Sequence, residues 1–393
     1  MPSVIQLAVI GGGPAGLRAA EVAATAGVAV TVFDGKASVG RKFLVAGKGG
    51  LNLTHGEAME RFVTRYSQPS DDWQSMLAEF DPQTLRDWAS DLGVETFQAT
   101  SGRVYPKALK AAPLLRRWIA RLKSLGVRFE MNHRWTGLKP GMPHQLEFAS
   151  GVEVSANAVV FALGGASWPQ TGSDGGWLAA FTKLGISCEP LVAANCGWQH
   201  AWPPEVLAVA EGEPLKNLGV RANDQSTTGE LLVTRYGIEG GAIYQLGAVL
   251  RAMEHPAIAI DFKPTFTRDQ LIAKMESVRR DFLAEARVRW RLSDAAHAIL
   301  AQQEWPDAPT LAEAVKHFII PLAGPRPVAE AISSAGGVSW NELDATLMLK
   351  RHPGLFVAGE MIDWEAPTGG YLMQGCFATG TRAGTAAAAW LRS

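Results

Sequence analysis

The sequence has few cysteines, no excess of charge of one sign and no long apolar run. The three cysteines, Cys188, Cys196 and Cys376, cannot form a disulfide framework and show no Cys-x-x-Cys spacing for zinc, iron–sulfur or dithiol chemistry. The 37 basic and 38 acidic side chains nearly cancel, which leaves no extended field to attract nucleic acid or an anionic membrane. No apolar run approaches the ~20 residues that span a bilayer, and no signal-peptide pattern precedes the first apolar run. We therefore expect a soluble, cytoplasmic protein without a nucleic-acid or membrane partner.

Length and the spread of aromatic and histidine residues narrow the class further. At 393 residues the chain exceeds what one hydrophobic core usually holds, so two or three domains are expected. The 13 tryptophans are scattered, which favours core and pocket lining over a stacking platform. The eight histidines show no metal-ligand spacing, so we predict no metal site.

The beginning of the chain follows the order strand, glycine turn, helix, strand. An apolar run at Val4 to Ile10 leads into Gly11-Gly12-Gly13-Pro14-Ala15-Gly16, and a helical stretch to about residue 26 precedes a second apolar run that ends at Asp34. This order is typical of a dinucleotide-binding βαβ unit.

Each glycine of this turn has its own expected role. Gly11 permits the tight turn, Gly13 lets the backbone approach a pyrophosphate, and Gly16 lets the helix pack closely on the strand. The helix that Pro14 and Ala15 open attracts the phosphate charge with its N-terminus. Asp34 stands where a carboxylate accepts hydrogen bonds from both ribose hydroxyls.

A basic, glycine-rich segment follows Asp34. Its backbone amides and cations suit an anion, and the alternative is a flexible surface loop. The segment runs through Gly47-Lys48-Gly49, and its residues that we expect at the ligand are Gly35, Lys36, Arg41, Lys42, Gly47 and Gly49.

Helices are predicted across residues 71–125, one of them starting at Asp81-Pro82 and another covering 109–125 with a solvated arginine face. The segment Ser101 to Pro106 carries Arg103 and Tyr105, which line a pocket in one interpretation and belong to a plain hairpin in the other. Short strands are predicted at 127–131, 135–138, 145–148 and 152–154. The apolar strand 158–163 then ends in Gly164-Gly165, a second contact with the cofactor.

The middle of the chain changes character and its end returns to the first pattern. Residues 191–261 read as strands and turns of an antiparallel domain, and residues 268–303 as helix with an apolar stripe. Residues 354–360 again read as a strand into a glycine turn, and Thr368-Gly369-Gly370-Tyr371 opens the last helix. The middle domains are therefore expected to be insertions.

Several of these segments together resemble the BaiN-like or YhiN-like bacterial flavoproteins, described as NAD(P)/FAD-dependent oxidoreductases. The match covers most of the chain. The motifs that carry it are the opening GGGPAGL, Gly40-Arg41-Lys42, Asn52-Leu53-Thr54, Gly102 to Pro106, Ala162 to Gly175, and Ala358-Gly359-Glu360 with Asp363 and Gly369-Gly370-Tyr371.

The resemblance implies an α/β fold in three parts. A Rossmann-like FAD-binding domain is built from both chain ends (1–190 and 326–393), with an inserted β-barrel-like domain (191–265) and a smaller helical domain (266–325). It also implies non-covalent FAD with Asp34 on the adenosine ribose, Trp135 touching adenine through its backbone, and Asn52, Leu53 and Thr54 beside the isoalloxazine. Gly359, Gly369 and Gly370 would lie at its pyrimidine edge, and Glu360 and Tyr371 are further expected cofactor-binding residues.

One departure from the family pattern falls in the basic segment. Where many relatives have Arg-Cys-Asn, this chain has Gly50-Leu51-Asn52, which places it in the subgroup written GKGGLNLTH. Transfer of a specific substrate from other members is therefore unsafe.

The chemistry expected of such a protein is hydride transfer through the flavin. Only one Gly-x-Gly-x-x-Gly fingerprint is present, so NAD(P)H would dock transiently, and a helix starting at Gly369 to Tyr371 would stabilise negative charge on reduced flavin. Arg103, Tyr105, Asp174 and Asp363 are candidate proton donors, although Asp174 is equally suited to cap a helix and Asp363 to orient a loop.

We expect NAD(P)H-driven reduction of an activated double bond in a small molecule. A flavin-dependent oxidase or hydroxylase and a non-catalytic redox sensor or RNA-modification partner are the alternatives; substrate, nicotinamide preference and oligomeric state stay open.

Overall fold

A computed structural model describes residues 4–47, 49–67, 70–139 and 141–393, so Lys48 of the predicted basic segment lies outside the described residues. The chain forms two compact units. The first contains residues up to Val192 together with Ser333–Ser393, and the second contains Ala193–Ile332. The expectation that one domain is built from both chain ends is therefore confirmed.

The first unit begins with a mixture of strands and helices and ends with the last helix of the chain. Its elements before the second unit are β1 (Ile5–Ile10), α1 (Pro14–Thr25), β2 (Val30–Asp34), α2 (Arg41–Ala46), β3 (Thr54–His55), α3 (Met59–Phe62), α4 (Ser70–Glu79), α5 (Pro82–Asp91), β4 (Thr96–Gln98), β5 (Arg103–Pro106), α6 (Ala111–Ser124), β6 (Arg128–Met131), β7 (Trp135–Lys139), β8 (His144–Phe148), β9 (Glu153–Phe161), α7 (Leu178–Lys183) and β10 (Cys188–Ala194).

The second unit is an antiparallel sheet with helices, and the chain then returns to the first unit. The elements from here on are β11 (Trp198–Gln199), α8 (Pro204–Ala210), β12 (Pro214–Ala222), β13 (Gln225–Thr234), β14 (Gly237–Glu239), α9 (Gly241–Gln245), α10 (Gly247–Ala252), β15 (Ala257–Asp261), α11 (Arg268–Ala273), α12 (Phe282–Arg289), α13 (Asp294–Leu300), α14 (Ala308–Lys316), β16 (Phe318–Pro321), β17 (Gly324–Pro325), β18 (Ser333–Val338), β19 (Leu355–Val357) and α15 (Tyr371–Trp390).

The main sheet of the first unit is parallel where it carries the glycine turns. Its order is β6-β2-β1-β9-β8-β7, with β19 also paired to β9. Strands β6, β2, β1, β9 and β19 run parallel to one another, whereas β8 is antiparallel to β9 and β7 is antiparallel to β8. Val9 lies opposite Val32 and Val160, and all three are fully buried, as expected of a central strand covered on both faces. The carboxyl ends of β2, β1, β9 and β19 therefore meet at one edge, where open α/β sheets bind ligands.

Helices α1 and α15 pack closely because glycines face backbone. A Cβ added at Gly384 would lie 2.6 Å from the Ala19 carbonyl oxygen, and one at Gly380 would overlap the Ala15 carbonyl group. The last helix of the chain is thus held directly on the helix that follows the first glycine turn.

A buried carboxylate joins α1 to α5 and α6. Glu21 accepts hydrogen bonds from the Trp88 Nε1–H (2.9 Å), the Trp118 Nε1–H (3.0 Å), Arg18 (3.1 Å) and Arg121 (3.1 Å). The arginine face expected to be only solvated therefore supplies one partner of a buried charge, because a carboxylate inside a core needs several donors.

Two predicted stretches have different boundaries in the structure. Residues 152–154 and 158–163 belong largely to one strand, β9, whose first half pairs with β8 and whose second half pairs with β1 and β19. The helical stretch 268–303 is divided into α11, α12 and α13. Asp281 (φ 55°) and Arg291 (φ 51°) have left-handed backbone conformations that interrupt it.

The second unit has one shared core. The seven strands run in the order β16-β15-β12-β13-β14-β11-β17 with antiparallel neighbours, which confirms the antiparallel prediction. Val220 from the sheet and Leu271 and Leu311 from the helices belong to the same buried cluster. The division of 191–325 into a strand-rich and a helical domain stays a prediction. Within the described part of the chain, no helix has the length and apolar character needed to cross a bilayer.

Candidate functional site

The first glycine turn has the geometry of a ligand-binding turn. Gly11 has φ 107°, and a Cβ there would overlap the carbonyl group of Ala162 at the end of β9. A Cβ at Gly16 would overlap the Gly11 carbonyl, so this glycine allows α1 to pack on the turn. A Cβ at Gly13, in contrast, meets nothing within 4 Å. Gly13 therefore borders free space at the start of α1, which has no side-chain cap.

Asp34 ends β2 beside this turn. Its Oδ2 accepts a hydrogen bond from the Gly12 N–H (2.9 Å) and its Oδ1 one from the Lys36 N–H (2.8 Å). Burial raises the pKa of this carboxyl group, and the two backbone N–H groups oppose that rise. A carboxylate has about four acceptor positions, so each oxygen keeps one for a further donor. A ribose carries a pair of hydroxyl donors that suit these positions.

A cavity of about 280 Å³ opens at this edge of the sheet. Thirteen of the predicted cofactor residues line it, and they come from both ends of the chain. The predicted ones are Gly11, Gly13, Pro14, Ala15, Asp34, Gly35, Lys36, Arg41, Lys42, Trp135, Gly164, Gly359 and Glu360. Asp174, predicted as a proton donor, lines it as well. Residues that the sequence reasoning left unassigned include Gly12, Arg134, Thr136, Thr171, Gly172, Ser173, Trp177 and Cys376.

Two side chains in this cavity present buried polar atoms that have no hydrogen-bond partner among the described residues. They are the Ser173 Oγ and the Trp135 Nε1, and their side chains are 7% and 6% exposed. Buried polar groups are nearly always paired. Together with the open space at Gly13 and the free acceptor positions of Asp34, they fit a polar dinucleotide. The residues present therefore fit the adenosine and pyrophosphate of FAD.

The cation of Lys42 is already compensated. Its Nζ donates to Ser167 Oγ and to Glu360 Oε2, both at 2.7 Å. This pair joins the start of α2 to the turn after β19. The Cys376 thiol lines the same cavity, and burial raises its pKa far above the usual value, so it is a neutral thiol at pH 7.

The remaining predicted residues form a second group at the start of α15. A Cβ at Gly370, where φ is 106°, would lie 2.5 Å from the Thr54 Cα. The Thr54 hydroxyl donates to Gln374 Oε1 (2.8 Å), and the Gln374 amide donates to the Phe80 carbonyl (2.6 Å). Asn52, Leu53, Thr54, Gly369, Gly370 and Tyr371 lie outside the residues that line the cavity. Asn52 Oδ1 is buried and has no partner among the described residues.

Tyr371 is fixed by groups that the sequence did not reveal. Its hydroxyl donates to Glu57, which also pairs with Arg65 through two hydrogen bonds of 2.9 and 2.7 Å. The Tyr66 hydroxyl donates to the Tyr371 carbonyl oxygen (2.7 Å). Burial first, and then Glu57, raises the pKa of Tyr371, so the phenol stays protonated. Glu57 and Arg65 lie far from Tyr371 in the sequence, and Gln374 follows it outside any motif. No local signal therefore marks these three residues.

The other predicted glycines serve packing or border space. Gly47 packs against Ala111 and Gly165 against Ser334, whereas a Cβ at Gly49 meets nothing within 4 Å. At the position of the family departure, Gly50 has φ 115°, which arginine rarely adopts, and Leu51 is buried.

The four candidate proton donors do not come together. Asp174 forms an ion pair with Arg134 (3.0 Å) and accepts from the Gly176 N–H rather than capping a helix. Arg103 and Tyr105 lie on β5 of a hairpin, with the Arg103 Nε 3.9 Å from a Cβ added at Gly369. Burial raises the pKa of Asp363, which lies outside the cavity lining. Across the described residues, no cluster of His, Cys, Asp or Glu side chains suits a metal ion.

Comparisons with known proteins agree with this geometry. The family model described as HI0933-like protein Rossmann domain matches residues 5–386. The chain is 27% identical to a 3-dehydro-bile acid delta(4,6)-reductase of Clostridium scindens, over 98% of this chain and 99% of the relative. It is 24% identical to a ribosomal RNA dihydrouridine synthase of Escherichia coli, over 93% and 94%.

A solved structure shows the same fold. The 3-ketosteroid delta1-dehydrogenase of Sterolibacterium denitrificans, in complex with 1,4-androstadiene-3,17-dione, aligns with a TM-score of 0.56 and 12% identity over 98% of this chain and 99% of that one. This likeness shows the fold, and the family model together with the relative named as a reductase supports an FAD oxidoreductase as the enzyme class. The chain belongs to the HI0933-like family of Rossmann-domain flavoproteins, the BaiN-like and YhiN-like group.

Proposed function

We propose that this protein is an FAD-dependent reductase that uses NAD(P)H to saturate a carbon–carbon double bond conjugated to a carbonyl group. The observation that carries the cofactor assignment is the cavity where Asp34 keeps two acceptor positions beside the open space at Gly13. The substrate class rests on two relatives. One is named as a delta(4,6)-reductase of a 3-dehydro-bile acid, and the other as a dihydrouridine synthase.

Both names describe one kind of bond. A 3-oxo group conjugated with a 4,6-diene and the C5–C6 bond of uracil are each double bonds polarised by a carbonyl. Reduction adds a hydride to the carbon distant from the carbonyl and a proton to the carbon next to it. NAD(P)H supplies the hydride, solvent or a side chain supplies the proton, and NAD(P)⁺ leaves.

The chain's own residues have defined tasks in this proposal. Asp34 accepts the ribose hydroxyls, and the uncapped start of α1 faces the pyrophosphate charge. When bound, FAD supplies the hydride transfer. The start of α15 is held in place by Thr54, Gln374 and Tyr371. Its backbone N–H groups would stabilise negative charge on the reduced flavin.

A second candidate substrate is a uridine in ribosomal RNA, which the full-length likeness to two dihydrouridine synthases favours. The near-zero net charge of the chain disfavours an RNA partner, since RNA binding depends on phosphate contacts. The same bond chemistry serves both substrates, so only the bound molecule differs.

The test starts with the purified protein and its visible spectrum. We expect a flavin spectrum, bleaching by NADH or NADPH without oxygen, and reoxidation by a conjugated steroid dienone with a mass gain of two hydrogen atoms. The matched steroid without the conjugated bond is the control. Reoxidation by ribosomal RNA alone would replace the small substrate with uridine. Peroxide formation without product would favour an oxidase, and no bleaching with either donor would favour a redox sensor; both outcomes contradict the proposal.

A further inference from the structure

The segment from Thr171 to Gly176 forms one wall of the cavity and carries an unexplained buried hydroxyl. The Ser173 side chain is 7% exposed, lines the cavity, and has no hydrogen-bond partner for its Oγ among the described residues. A buried hydroxyl without a partner destabilises a protein, because it has lost its hydrogen bonds to water. Such a group is explained when a ligand provides the partner.

The same segment is tied to the opposite wall by an ion pair. The Arg134 guanidinium lies 3.0 Å from Asp174 Oδ2, while Asp174 Oδ1 accepts the Gly176 N–H at 3.0 Å. The Arg134 Cα lies 3.3 Å from a Cβ added at Gly35, the neighbour of the ribose-binding Asp34. Arg134 therefore reaches from the end of β2 to segment 171–176.

A second contact joins these walls. A Cβ added at Gly172 would lie 3.3 Å from the Lys36 Cγ, so the segment also packs on the loop after Asp34. The side chains that face the ribose position from β2 and those of segment 171–176 thus share one narrow space. Neither Ser173 nor Arg134 belongs to the glycine fingerprint.

We propose that Ser173 binds the adenosine half of FAD directly and that the Arg134–Asp174 pair holds segment 171–176 over it. The inference rests on the proposed FAD binding and assigns two functions that the glycine turn lacks. The hydroxyl donates to or accepts from an oxygen of the cofactor, and the ion pair slows release of the cofactor by keeping the walls together.

Ser173→Ala tests the direct contact. In the FAD-free protein the change removes a hydroxyl that has no partner, so the melting temperature should stay the same or rise. FAD binding, measured by quenching of flavin fluorescence, should weaken about 5-fold through the loss of one hydrogen bond. The matched control is Thr31→Val, which removes another buried, unpartnered hydroxyl, in strand β2 and outside the cavity lining. Thr31→Val should leave FAD affinity unchanged.

The FAD affinities of the two variants test the proposed contact between Ser173 and FAD. Equal affinity of Ser173→Ala and wild type, or equal weakening in Ser173→Ala and Thr31→Val, would overturn it. A wild-type protein that binds no FAD would overturn the proposed function instead, so the two failures are distinguishable.

Arg134→Gln tests the ion pair through the rate of FAD release, measured by capture with excess apoflavodoxin. We expect release to become about 5-fold faster, and the wild-type rate to rise with salt while the variant rate does not, because the pair is largely exposed and therefore screened. Arg235→Gln, which breaks the exposed Arg235–Glu211 pair of the second unit, is the matched control and should change nothing. Asp174→Asn should also speed release. Slower release in Asp174→Asn would mean that Asp174 competes with the cofactor for Arg134, and would overturn the proposal.

Discussion

Helices α1 and α15 of the first unit each begin at a glycine without a side-chain cap, and the surroundings of these two glycines are opposite. At the start of α1, a Cβ on Gly13 would meet nothing within 4 Å. At the start of α15, a Cβ on Gly370 would lie 2.5 Å from the Thr54 Cα, in a segment already locked by Gln374. The first glycine leaves room for something outside the protein, and the second lets two distant chain segments touch. On its Cβ side, glycine therefore faces open space at the start of α1 and a tertiary contact at the start of α15.

The largest effect should come from Gly370, at the start of α15. Gly370→Ala forces a left-handed backbone onto alanine and drives its Cβ into Thr54 backbone, which cannot move away cheaply. We expect the free energy of unfolding to fall by about 3 kcal/mol or more, with or without FAD. Urea unfolding of the FAD-free protein measures this. A loss of stability seen only with FAD present would mean that the Cβ side of Gly370 faces the ligand and not Thr54.

Asp34, beside the start of α1, should give the next largest effect. Asp34→Ala removes the acceptor for both ribose hydroxyls and leaves the Gly12 and Lys36 N–H groups without their carboxylate. FAD binding should weaken by about 1 to 3 kcal/mol, as for other hydrogen bonds to charged groups. Titration of the FAD-free protein with FAD gives the value. Unchanged retention of flavin would discredit the ribose assignment.

A change at Gly13, at the start of α1, should lower FAD affinity more than it lowers the stability of the fold. Gly13 has φ −81°, and a Cβ at this position meets free space. In the FAD-free protein, Gly13→Ala should therefore lower the free energy of unfolding by at most about 1 kcal/mol, the range for an unfavourable N-cap residue. FAD affinity should fall about tenfold, equivalent to 1.4 kcal/mol, because the added methyl group occupies the approach of the pyrophosphate. Parallel urea unfolding and FAD titration separate the two quantities. If Gly13→Ala destabilised the fold as strongly as Gly370→Ala, the contrast between the two helix starts would be wrong.

The contrast also explains how far the sequence could predict the site. The glycine turn and Asp34 are contiguous with their strand and helix, so their spacing indicates both the turn and the acceptor. Arg134 and Glu57 contribute through contacts between segments separated by tens to hundreds of residues, and no local pattern marks such pairs. Ser173 sits inside a family motif, yet the role proposed for it rests on the burial of its hydroxyl and the lack of a partner among the described residues, which only the structure reveals.

The elements show the same limit. Asp81 and Pro82 predict the start of α5, where Asp81 indeed accepts the Thr84 N–H (2.7 Å), because a cap is a local interaction. The break at Asp281 and Arg291 was missed, since non-glycine residues seldom adopt left-handed backbone and the tertiary packing of α11 to α13 imposes it. The continuity of β9 was missed because its two halves have different partners, and a change of partner leaves no mark on the strand's own sequence.

The smallest expected effect separates the charge of Asp34 from its shape. Burial raises its pKa above the ordinary value, so in the FAD-free protein the carboxylate takes up its proton at a higher pH than a solvated aspartate does. The protonated group loses an acceptor position, so FAD affinity is full above this raised pKa and declines as the pH falls through it. We expect about a threefold loss across that window, the contribution of one hydrogen bond. FAD titrations of wild type and Asp34→Asn across mildly acidic pH test this: the variant, which has no carboxyl group to titrate, should bind weakly with no slope. Parallel pH profiles for the two proteins would show that Asp34 acts through shape alone and that another group carries the pH dependence.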